Sequence, residues 1–142
     1  MGLDLFCNGI SEKVGAYSSV HRIRFELLCG LKYYLEIEHE TEIKLIDYLT
    51  KLVKTKDQVN YQLYSVKMER MLSKLGVNGF SSFIYHSDCA GTMNSYEAGA
   101  FLQTWDKTKD YMTDTVREKD GSFYLDTIFQ QSKLSGETIF FC

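Results

Sequence analysis

The chain has no proline, so no turn or helix end is set by a locked φ. Kinks and stops must come from glycine, asparagine and capping side chains. Cysteine is sparse: Cys7, Cys29, Cys89 and Cys142 lie far apart with no CxxC pair. That spacing speaks against a zinc knuckle or ribbon, and no metal site is expected. Without a secretion signal, thiols are expected rather than disulfides. No apolar run approaches the roughly 18 residues of a membrane span, and no basic-then-apolar leader opens the chain. A soluble, cytoplasmic protein without membrane contact is the expectation. A clustered basic patch is also missing. The 16 basic and 19 acidic residues are mixed along the chain and give a net charge of -3, which argues against a nucleic-acid surface. There is no GxGxxG, P-loop, EF-hand or GxSxG pattern, so nucleotide, calcium and serine-hydrolase chemistry lack local support, and no cofactor is expected.

What is present suits one core. The 142 residues are 44% hydrophobic and 14% aromatic, enough apolar surface to offset chain entropy in a single globular domain over 1–142. The pattern is α+β: about five helices with a small sheet of two or three short strands. Leu3, Leu5 and Cys7 alternate with Asp4 and Phe6 as a strand does, and Asn8-Gly9 makes a turn. Residues 10–17 read as a loop. Val20, Ile23, Leu27, Leu31 and Tyr34 recur at helical spacing, so a helix is predicted over 19–37, capped by Ser18 or Ser19. Further helices are predicted from Thr41 to about Val53 and from Asp57 to about Leu75, the latter stopped by Gly76. Phe80 to Tyr85 reads as a central strand. Asn94 with Glu97 forms a capping box that opens a helix with Ala98, Phe101, Leu102, Trp105 and Met112 inward. Ser122 is expected to cap a last helix ending at Gly136, and 138–142 reads as a terminal strand.

The densest packet of chemistry is His86-Ser87-Asp88-Cys89-Ala90-Gly91, placed between an apolar run and a helix start. His86 suits a general base near neutral pH. Cys89 suits a nucleophile if an imidazolium or helix N-terminus activates it. Asp88 can orient an imidazole, and Gly91 can let a ligand approach the backbone. The architectural alternative is that Ser87 and Asp88 form the turn, His86 bonds across it and Cys89 fills a small gap. At about 100° per residue, His21, Arg24 and Leu28 share one flank of helix 19–37, placing an imidazole and a fixed positive charge at the core edge. They join the packet if the helix start lies at the same sheet edge. His39 sits in a charged turn and reads as solvated. Ten tyrosines and nine phenylalanines leave Tyr33, Tyr34, Tyr61 and Tyr64 as candidate contact surface, or as core-edge residues with wet hydroxyls.

Four segments together resemble a family. They are Met1-Gly2-Leu3-Asp4-Leu5, the run from Val14-Gly15-Ala16-Tyr17 to His21-Arg22-Ile23-Arg24, the HSDCAG packet, and Ile139-Phe140-Phe141-Cys142. The resemblance is to a set of small uncharacterised proteins of bacteria and DNA viruses that share an MGLD start, a G-x-Y…H-x-x-R segment and an HSDC-x-G segment. It covers most of the chain and implies that His21, Arg24, His86, Asp88 and Cys89 form the set to test. The family usually has an acidic residue where this chain has Ala90, which weakens a cation-binding role. The expected function is a non-catalytic module that binds a small ligand or a protein partner. Its site comprises His21, Arg24, His86, Ser87, Asp88, Cys89 and Gly91. The alternatives are a small hydrolase or transferase using Cys89 with His86 or His21, and a structural or assembly protein, a viral one included. The last would make the chain a homo-oligomer.

Overall fold

The computed structural model describes residues 2–39, 69–84 and 91–142, and within them the fold is α+β. Strand β1 (Gly2–Cys7) and strand β2 (Ile10–Ala16) form an antiparallel hairpin. The turn between them is Asn8-Gly9, with φ of 47° and 80°. Positive φ at both central residues is what a two-residue hairpin turn of the strand-matched hand requires, and asparagine followed by glycine meets it at least cost. The expected loop over 10–17 is therefore a strand. Only Val14 of that strand is buried, because it lies at the sheet edge, and a polar edge strand leaves no alternating signal. Gly2 faces Gly15 so closely that a Cβ on it would lie 2.5 Å from the Gly15 carbonyl oxygen.

Two short strands complete the sheet, β3 (Gly91–Met93) and β4 (Ile139–Phe141). The order is β2-β1-β4-β3, antiparallel throughout. The terminal strand expected at 138–142 thus lies inside the sheet, and four strands replace the two or three expected. Leu3, Leu5, Cys7, Met93, Ile139 and Phe141 are buried on the inner face. Phe6 and Phe140 sit directly opposite each other on the outer face and are exposed.

Helix α1 (Tyr17–Glu38) follows β2 without a loop. Its N-cap position is Ala16, with no side-chain cap, so the expected serine cap is not used. Val20, Ile23, Leu27, Leu28, Leu31 and Leu35 bury its inner stripe. Gly30 admits Met112 onto the helix, since a Cβ there would lie 2.3 Å from the Met112 sulfur. The helices predicted over 41–53 and 57–75 lie outside the described residues, except for 69–75, which is helical. Gly76 stops that stretch at φ 72°. The Val77 N–H donates to the Leu72 carbonyl and the Gly76 N–H to the Ser73 carbonyl, the pair of bonds that satisfies the last open carbonyls of a helix ending in a left-handed glycine.

The strand expected at Phe80–Tyr85 is instead a short helix over its described part, α2 (Ser81–Ile84). Phe80, Phe83 and Ile84 are buried, a spacing of i, i+3 and i+4 that one helical turn gathers on one side. Gly79 packs on the next helix, where a Cβ would meet the Ala100 carbonyl oxygen at 1.9 Å. That helix, α3 (Ser95–Thr108), opens on the predicted capping box. The Glu97 N–H donates to Asn94 Oδ1 at 2.9 Å and the Asn94 N–H to Glu97 Oε1 at 2.9 Å. Met112 lies beyond α3, after a 3-10 turn at Lys109–Tyr111. The last helix, α4 (Asp126–Ser135), starts later than Ser122 predicts and ends at Gly136 with φ 77°. Ser122 bonds the Asp120 carboxylate instead.

An aromatic cluster closes the core. The Phe101 ring lies 4.8 Å from Phe80, 4.8 Å from Phe123 and 4.5 Å from Phe129, centroid to centroid. Phe83 touches the same cluster and also Phe141 of the sheet, at 6.1 Å. Trp105 is buried as expected, packs on Phe123, and donates from Nε1 to the Gly121 carbonyl at 3.0 Å. That bond pins the 113–125 segment over the cluster.

Candidate functional site

Of the predicted site residues, Arg24 has the clearest placement. It is only 5% exposed. Its Nε donates to the Phe83 carbonyl oxygen at 3.2 Å, and the guanidinium carbon lies 6.0 Å from the Phe83 ring centroid. A permanent cation taken out of water costs several kcal/mol unless hydrogen bonds and charge answer it. The bond to Phe83 gives Arg24 a structural role as well as any binding role, so removing its side chain perturbs the fold. His21 lies one turn earlier and is half-buried.

His86, Ser87, Asp88 and Cys89 lie outside the described residues, so the approach of His21 to His86 does too. The flanks of the packet are described. On one side, Phe83 and Ile84 are buried, and Phe83 is the residue Arg24 holds. On the other, Gly91 is exposed and pairs with Phe141 at the start of β3. Its φ of 139° belongs to a region that glycine alone enters readily, so Gly91 has a backbone reason to be glycine.

The expected meeting of the α1 start with the packet lies outside the described residues, and the described strands beside each lie at opposite sheet edges. Helix α1 leaves from β2, at one edge, and the packet leads into β3, at the other. The described contact between α1 and the stretch before the packet lies further along the helix. Arg24 is seven residues in, about 10 Å along the axis at the usual rise, and there it meets Phe83.

A second polar concavity carries no motif. A cleft of about 250 Å³ lies between α3, α4 and the 113–125 segment, and Asp106, Lys109, Asp120, Ser122, Asp126 and Lys133 line it among others. Asp120 accepts from the Ser122 N–H at 2.9 Å and the Ser122 hydroxyl at 2.6 Å, which lowers its carboxyl below the usual range. Asp126 is pushed up, first by burial and further by the charges of Asp120 and Asp106, against a bond from Gln130 that lowers it. The three aspartates come from separate stretches that each read as a solvated turn or helix surface, so only their assembly in space reveals the cleft.

Of the described thiols, Cys7 is held in its unionised form by its surroundings. Cys7 is buried, donates to the Glu137 carbonyl with a sulfur–oxygen distance of 3.7 Å, and burial pushes its thiol up. An unionised thiol is a poor nucleophile. Cys29 is half-buried and Cys142 exposed. Among the candidate surface tyrosines, Tyr33 is exposed, while Tyr34 is half-buried and meets Tyr111 edge-on at 6.0 Å. Tyr61 and Tyr64 lie outside the described residues. Among the described residues Tyr96, not singled out by the sequence, is the most exposed large hydrophobic side chain, at 88%.

Among the described residues, no group of three His, Cys, Asp or Glu side chains is arranged to hold a metal ion, and no helix is long and apolar enough to cross a membrane. Comparison with protein-family models, with curated proteins and with solved structures returns no match to this chain.

Proposed function

We propose that this protein is a non-catalytic binding module for a small anionic ligand. Its proposed site comprises His21 and Arg24 of α1 together with the 86–91 packet. The observation that carries the reading is the buried Arg24, bonded to the Phe83 carbonyl three residues before His86. Arg24 is charged at every working pH, as an anchor for an anionic group requires. In this reading Arg24 positions the packet and supplies the charge. His21 and His86 exchange hydrogen bonds with the ligand and Asp88 orders the loop, with Ser87, Cys89 and Gly91 completing the proposed set. The resemblance in the MGLD, H-x-x-R and HSDC segments supports grouping the same residues.

The test is the thermal midpoint of wild type and His86→Ala in sodium phosphate and in sodium chloride at equal ionic strength. A ligand held by the folded state alone raises stability by about 2.7 kcal/mol at a hundred times its Kd. Wild type should show a phosphate-dependent rise that His86→Ala loses while keeping its midpoint in chloride. No phosphate effect in wild type rejects the reading. A loss of about 2 kcal/mol in His86→Ala in chloride would make the packet architecture, since that is the cost of orphaning a buried bond.

A second reading, an assembly protein, is favoured by exposed Tyr33 and Ile37, four residues apart on α1, and by Tyr96 on α3. Light scattering over a hundredfold concentration range separates the two. A constant monomer mass excludes self-assembly.

A further inference from the structure

We draw no further inference here: the strongest candidate, the cleft between α3, α4 and the 113–125 segment, is an acidic cluster whose carboxylates already meet Lys109, Ser122 and Gln130, and no second observation points to a ligand there.

Discussion

Phe83 belongs to two regions that are both buried and are held by different physics. On one side its ring enters the aromatic cluster around Phe101, where the stabilisation scales with area removed from water. On the other, its carbonyl accepts from Arg24. The cluster needs no explanation beyond folding. The Arg24 seam does, because a buried cation must be answered by hydrogen bonds and charge, which constrains its surroundings in a way that apolar packing does not. The difference separates residues fixed by apolar area alone from a residue fixed by a directional polar bond, which can serve a site as well as the fold.

Replacing Phe101 should have the largest effect. Phe101→Ala removes the ring that touches Phe80, Phe83, Phe123 and Phe129 and should cost about 3–5 kcal/mol in urea unfolding. A loss under about 1 kcal/mol would mean the cluster does not centre the core. Arg24→Met sharpens the contrast. It keeps the volume but leaves the Phe83 carbonyl without its donor, and should cost about 1–3 kcal/mol by the same assay. A gain would show that Arg24 is retained wholly against stability. Asn94→Ala removes one half of the capping box and should cost about 1 kcal/mol, read as a lower denaturant midpoint with unchanged slope.

The smallest effect concerns Asp126. Its carboxyl titrates higher in the folded state than unfolded, so the folded state holds its proton more tightly. Stability is then lost as pH rises through the carboxylate range, and none of that loss applies once the group is protonated in both states. Asp126→Asn should therefore stabilise slightly at pH 7, by about 0.5 kcal/mol or less for a partly exposed group. The gain should vanish near pH 3. A destabilised variant at pH 7 would mean that the favourable placement of a carboxylate at the start of α4 outweighs its burial.

Local chemistry was legible in the sequence where partners lie within a turn of each other. The Asn94–Glu97 box, the Asn8-Gly9 turn and the stops at Gly76 and Gly136 are all of this kind. The strand β2 was not legible, although Asn8-Gly9 between two runs is a strong hairpin signal, because Ser11 and Lys13 face solvent at an edge. The run at 80–85 misled through its aromatic and β-branched content, while the spacing of Phe80, Phe83 and Ile84 already fitted a helical turn. Arg24 could be placed on the flank of a helix, but its acceptor is a backbone carbonyl 59 residues away, and no side-chain pattern marks such a bond. The aspartates of the α3–α4 cleft meet only after the 113–125 segment folds over Trp105, so their proximity is a property of tertiary packing alone.

The most direct test of the central claim is a titration of the isotope-labelled protein with inorganic phosphate, followed by backbone and histidine side-chain NMR shifts. The account predicts saturable shifts confined to His21, Arg24, Phe83, Ile84 and residues 86–91. Shifts confined to exposed lysines such as Lys107 and Lys133, or no saturable shift at all, would contradict it.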